Sequence, residues 1–166
     1  MSEILGALFS YVIKLLGVAA VVLLLYAVFG ADKTNNALSQ ISQTQSNIQA
    51  LYVSQPNFSS LNNSVVINGQ LAPSDMIQGN ALVNGWNGPV TVAVDSNTSQ
   101  FSLTETQVPK SACIKLAANV AAYVSLQING GTAYGTASGT KIDPGIASTE
   151  CAAGGDNNSL KFVFAR

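Results

Sequence analysis

Serines, aspartates and glutamates offer nucleophiles and carboxylates, but the chain contains no histidine. That removes the commonest general base and the commonest metal ligand together. A Ser-His-Asp relay is therefore excluded, and no Ser-Lys motif stands out. The acids Asp75, Asp95, Glu105, Asp143, Glu150 and Asp156 are isolated and mostly adjoin turn residues, so they are read as caps and turn stabilisers. Gly130-Gly131 and Gly154-Gly155 lack the lysine and the strand-helix setting of a phosphate loop. Asn57, Asn62, Asn97 and Asn157 each open an Asn-X-Ser/Thr triplet, as chance provides in an asparagine-rich chain. No catalytic residue, metal ligand set or cofactor is expected.

Four other features could carry function. Cys113 and Cys151 are too few and too far apart for a zinc site. They read either as a disulfide formed outside the cytosol or as two buried thiols. Such a bridge would close a loop of about 39 residues and stabilise the fold by roughly 3–4 kcal/mol. Glu3 opens an apolar run, where an acid favours a helix N-terminus. Its other reading is an ion pair with a neighbouring copy, through that copy's Lys14 or its amino group at Met1. Within one chain Lys14 is about 16 Å further along the helix, so the pair cannot close internally. Trp86 has turn residues on both sides and is read as a core anchor beside a turn, ahead of a surface tryptophan that stacks on a ligand.

The elements that must position these residues begin with Ile4 to Gly30, apolar except for Ser10 and Lys14. As a helix the run spans about 40 Å, enough to cross a bilayer. Its first charge, Glu3, is acidic, unlike the basic start of a secretory signal, so retention is expected over cleavage. Mid-membrane, Lys14 would cost roughly 3 kcal/mol. A span limited to Leu15–Phe29 sets it at the cytoplasmic boundary instead, at about 23 Å of thickness. Beyond Gly30, apolar Ala37, Leu38, Ile41, Ile48, Leu51 and Tyr52 recur at helical spacing up to Pro56. The expectation is one helix over residues 1–54, apolar over 1–30 and amphipathic over 31–54, followed by a globular head over 55–166.

In the head, Val65-Val66-Ile67, Pro89–Val94, Gln100–Thr104 and Leu160–Ala165 read as strands. A helix opens at Val108-Pro109, with Ala112, Leu116, Ala117, Val120, Ala121 and Val124 as its buried face, and residues 129–145 read as a glycine-rich loop. The class is α+β, with an antiparallel sheet packed on helices. Only 9% of residues are charged and the formal net charge is −1, which excludes the basic face of a nucleic-acid binder.

The block from Asp75 to Leu116 resembles type IVb pilins of the PilS class. Their pattern is an Asn-x-Trp-Gly-Gly turn, an alternating strand, a Phe-led strand, then Val-Pro, a short gap and Cys. Matching positions are Asn84, Trp86, Gly88, Val90, Val92, Phe101, Val108, Pro109 and Cys113, with Leu51-Tyr52 and Met76-Ile77 similar upstream. The resemblance implies a lollipop, a long N-terminal helix with an α/β head, and a region bounded by Cys113 and Cys151. It implies a major pilin that polymerises into a helical filament through its N-terminal helices and serves adhesion, conjugation or related surface work. Partners would be other copies, the inner membrane before assembly, the assembly machinery, and a host or recipient cell surface. The alternatives are a minor pilin or adhesin, and an anchored exported binding protein that never polymerises. Family members usually carry glutamate at the fifth mature position, where this chain has Leu5, with Glu3 two residues earlier. Either the numbering starts at the mature residue, with a leader omitted, or this subunit is processed differently; the first is expected.

Overall fold

Helix α1 runs Ser2–Leu51. The computed structural model describes the backbone of residues 2–166 and the side chains of residues 11–21 and 32–166. Met1 and the side chain of Glu3 lie outside the described residues. Two compact units divide the chain, Met1–Lys33 and Thr34–Arg166.

In the second unit the amphipathic stretch of α1 buries a stripe at Thr34, Ala37, Ile41, Thr44 and Ile48, continued by Tyr52 just past its end. Spacings of three and four keep these on one side. Leu51, expected in the stripe, is half exposed. It falls one residue off the repeat, where Tyr52 takes the inward place. The stripe is also less apolar than its pattern suggested. Thr44 Oγ1 turns to Met76 Sδ at 3.9 Å, and Gln40 Nε2 donates to Asp75 Oδ2 at 2.7 Å. From the helix end a chain of rings, Tyr52, Phe58, Phe101 and Phe164, steps into the core at centroid spacings of 5.1, 5.0 and 5.5 Å. These large surfaces dominate the apolar burial.

Val65-Val66-Ile67 is helical, not a strand: α2 covers Asn63–Asn68. Asn62 decides this by accepting a hydrogen bond from Val65 N at 3.1 Å, an N-cap that starts a turn of helix. Asn63 then stitches α2 to the sheet, accepting from Val92 N at 2.6 Å and donating to Val90 O at 3.0 Å.

The sheet contains β1 (Ile77–Gln78), β2 (Ala81–Val83), β3 (Pro89–Val94), β4 (Gln100–Val108), β5 (Tyr123–Ile128), β6 (Ala133–Tyr134) and β7 (Asn158–Ala165). Its order is β1-β2-β3-β4-β7-β5-β6, and all pairs are antiparallel. Alternation puts Val90 and Val92, Phe101 and Leu103, and Leu160, Phe162 and Phe164 on the buried side.

Helix α3 spans Lys110–Asn119 and stops earlier than expected. Val120 is its buried C-cap, Ala121 is exposed, and Ala122 adopts φ +60°. Val124 therefore belongs to β5, whose β-branched and aromatic residues suit a strand. The expected loop over 129–145 also contains β6 and the first residues of α4, Pro144–Ala153. Asp143 caps α4 by accepting from Gly145 N at 2.7 Å and Ile146 N at 2.9 Å, with Pro144 at the first helical position. Asp143→Ala should cost about 1 kcal/mol in chemical denaturation, the usual worth of such a cap. An unchanged midpoint would mean that α4 is held without its cap.

Candidate functional site

Two surfaces could do this protein's work, one in each compact unit. In the first unit, Tyr11, Val12, Ile13, Leu15, Leu16, Val18 and Val21 all lie open, at 46–69% exposure. Apolar side chains this dense on every side of a helix have no partner among the described residues of the unit, and water is a poor one. Lys14 stands among them with its Nζ 5.7 Å from the centre of the Tyr11 ring, a cation–π contact. At Gly17 a Cβ would meet nothing within 4 Å beyond the adjoining residues and the helix's own backbone, so this residue leaves a notch beside Lys14, Val18 and Val21. Among the described residues no helix is long and apolar enough to cross a membrane. The expected span draws on residues 1–10 and 22–31, whose side chains lie outside the described residues.

In the second unit Cys113 of α3 and Cys151 of α4 form a disulfide with a Cα–Cα distance of 5.9 Å. Both are fully buried. Beside this staple a network of asparagines fixes the return from α4 to β7. Asn158 is buried and donates to Val108 O at 3.2 Å and Gly155 O at 2.7 Å. Asn129 donates to Asn158 Oδ1 at 2.9 Å and accepts from Ser159 N at 2.9 Å. A methyl at Gly154 would overlap Asn158 Oδ1, so the network needs glycine there.

Trp86 is half-buried and packs against the core. Asn84 holds its turn: Oδ1 accepts from Trp86 N at 3.0 Å and Gly88 N at 2.9 Å, while Nδ2 donates to Thr106 O at 2.8 Å. A methyl at Gly88 would overlap the Thr106 carbonyl, so only glycine lets the turn lie on β4. Trp86 also lines a shallow, open cleft of about 370 Å³ with Gln107, Pro109, Asp156 and Asn157.

Most of the acids have a polar partner, although of Asp143, Asp75 and Asp95 only the first has the capping role expected. Asp143 caps, Asp75 accepts from Gln40, and Asp95 pairs with Lys161 at 2.7 Å. Glu105 has none. It is fully buried, and neither carboxyl oxygen has a hydrogen-bond partner. It sits in a cross-strand row with Leu82, Val90, Leu160 and Ile128. Burial pushes its carboxyl up to about 7, only partly offset by the Asn84 amide, whose donor bond goes to Thr106. The signal was present in the sequence: the alternation that buries Phe101 and Leu103 also turns Glu105 inward. Among the described residues no group of three or more acidic, cysteine or histidine side chains could hold a metal.

An unpartnered apolar stretch of helix, followed in the chain by an α+β head closed by a disulfide, is the organisation of a pilin. The chain belongs to the PilS N-terminal family, whose model matches residues 31–165, and it is thereby a type IVb pilin, a structural subunit of a pilus. It is 25% identical over 150 residues to the major structural subunit of bundle-forming pilus of Escherichia coli O111:H-, an alignment covering 81% of this chain and 78% of that one. The same figures hold for the subunit of Escherichia coli O127:H6. In fold it is similar to the type IVb pilin of Salmonella typhi, with a TM-score of 0.65 and 21% identity over 80% of this chain and 99% of that one. TcpA, a type IV pilin of Vibrio cholerae El Tor biotype, superposes with a TM-score of 0.58 at 12% identity, over 81% of this chain and 99% of that one.

Proposed function

We propose that this pilin is the major subunit of its filament and polymerises through the apolar part of α1. The observation that carries this reading is the run of open apolar side chains from Tyr11 to Val21. Lipid before assembly and copies of the same helix afterwards are the two surroundings that would cover them. Inner-membrane storage followed by transfer to an extracellular pilus supplies both. The relatives in Escherichia coli, named as major structural subunits, support the same role. The test is to shear expressing cells, pellet the filaments and weigh the chain. Abundant polymer retaining the apolar segment is expected. A soluble chain starting near Ala31, with no polymer, would end the proposal.

Charge sets the stagger between neighbours in this reading. A copy displaced by about 16 Å along the axis brings its Lys14 level with Glu3 of the first. In a dry helical core such a pair is costly unless both charges are matched, so it selects one register. Reversal by Glu3→Lys should cut filament yield by at least about tenfold, and the exchange Glu3→Lys with Lys14→Glu should restore it. Unchanged yield in the single reversal would eliminate the pairing. Failure of the exchange would leave the amino group at Met1 as the partner of Glu3.

A further inference from the structure

We infer that Asn97, in the turn between β3 and β4, is the acceptor of an N-linked glycan, delivered outside the cytosol from a sugar carried on a lipid diphosphate. Asn57, Asn62, Asn97 and Asn157 each open an Asn-X-Ser/Thr triplet, and the fold separates them. A transferase has to draw all three residues of a triplet into its groove. At Asn57 the middle residue is Phe58, fully buried in the chain of core rings. At Asn157 it is Asn158, fully buried and bonded to Val108 O and Gly155 O. At Asn62 the side chain caps α2 and donates to Ser60 O at 3.2 Å, while Asn63 is bonded to β3. Asn97, Thr98 and Ser99 are exposed at all three positions, and of the four triplets this one alone can leave the surface without unpacking the core.

The turn also holds this triplet in a shape suited to the reaction. Asn97 Oδ1 accepts from Ser99 N at 3.0 Å, an Asx turn that folds the amide back toward the residue whose hydroxyl completes the triplet. Asn97 Nδ2 has no hydrogen-bond partner among the described residues, so the nitrogen that must react is free. A donor on Oδ1 draws density from the amide, and its N–H protons leave more readily. In the transfer this nitrogen attacks the anomeric carbon of the donor. A C–N bond forms, the C–O bond to diphosphate breaks, the diphosphate leaves with the electron pair, and one amide proton passes to a base of the transferase. Asp95, two residues before Asn97, gives the segment a carboxylate that a cationic groove can hold. Its partner here is Lys161, whose side chain is 37% exposed, an ion pair that another cation can replace. Backbone atoms close the turn and tie it to the head: Gln100 N donates to Asn97 O at 2.8 Å, and Phe58 N to Thr98 O at 2.8 Å. A glycan on the Asn97 side chain therefore displaces no packed group. The Cys113–Cys151 disulfide belongs to the same non-cytosolic setting in which Asn97 would meet its donor. The product is a bulky, hydrated group on a chain in which only 9% of residues are charged.

The test reads mass on the full chain, purified from the envelope and from sheared surface material of the cells that produce it. After proteolysis, electron-transfer fragmentation, which leaves side-chain glycans in place, locates any increment. A mass increment composed of sugar residues is expected on Asn97, with Asn57, Asn62 and Asn157 unmodified. Ser99→Ala keeps Asn97 and the backbone bond of the Asx turn but removes the hydroxyl, so it should abolish the increment. Ser99→Thr should retain it, and both variants should unfold at the wild-type midpoint, since Ser99 is exposed. An unmodified Asn97 in both fractions would overturn the proposal. So would an increment that survives Ser99→Ala, or one carried by another residue. Chains taken before assembly report the modification as well as chains in polymer, so the outcome is independent of whether filaments form.

Discussion

Replacing Cys113 and Cys151 together by alanine is expected to lower the unfolding free energy of the head by about 4 kcal/mol. The cysteines are separated by 38 positions, and closing a loop of that length removes about that much free energy of disorder from the unfolded chain. The native state makes the loss fall unevenly. Of the residues of α4, only Ala147 and Cys151 are buried. A helix anchored by one methyl group and one sulfur has little apolar surface to hold it, and ten residues are too few to be stable alone. Across from it α3 buries Ala112, Cys113, Leu116 and Ala117, a larger face that should keep its place. Denaturant titration of wild type, reduced wild type and the double variant should give the lowered midpoint in the last two. Hydrogen exchange should show Pro144–Ala153 opening first. A loss below about 1 kcal/mol would mean that the asparagine network at Asn129 and Asn158 holds α4 without the bridge.

Much of this was legible in the sequence because it rests on repetition. The long helix, the strands led by Pro89 and Phe101, the final strand and the pilin likeness each depend on periodic patterns or on a spaced motif. Misreadings fell where one polar side chain outweighs several neighbours. Val65-Val66-Ile67 has the composition of a strand, yet the Asn62 cap and the Asn63 bonds to β3 settle it as helix. The turn of α4 hid among glycines because its signals, Asp143 and Pro144, are two residues long. Trp86 was read as a core anchor or as a ligand platform. It is partly buried against the core and also lines a shallow cleft. The cleft itself could not be read beforehand. Gln107, Asp156 and Asn157 are ordinary polar residues until the β4 bulge and the α4–β7 return bring them together.

Glu105 supplies the other large effect: the head should lose about 3 kcal/mol of stability as pH rises from about 4.5 to about 7, and the substitution Glu105→Gln should abolish that slope. The carboxyl is buried in a row of aliphatic side chains, without a hydrogen bond to either oxygen. Ionising it there costs more than ionising it in water, which holds its pKa at about 7 instead of 4.5. Below 4.5 the group is protonated whether the chain is folded or not, and it contributes no pH dependence. Between 4.5 and 7 the unfolded chain releases the proton while the folded head keeps it. Folding then takes up a proton, so stability falls as pH rises and levels off above 7. Tyr134, raised by its hydrogen bond to Glu150, and Tyr123, raised by burial, titrate above this window. Urea midpoints of the full-length chain in micelles, followed by Trp86 emission at pH 4.5, 6 and 8, would measure the profile. Wild type should weaken stepwise across the three. Glu105→Gln should match it at pH 4.5 and exceed it at pH 8, because an amide of the same shape never carries the charge. A variant that keeps the wild-type slope would assign the pH dependence to other groups and would mean that the Glu105 carboxylate finds a partner once ionised.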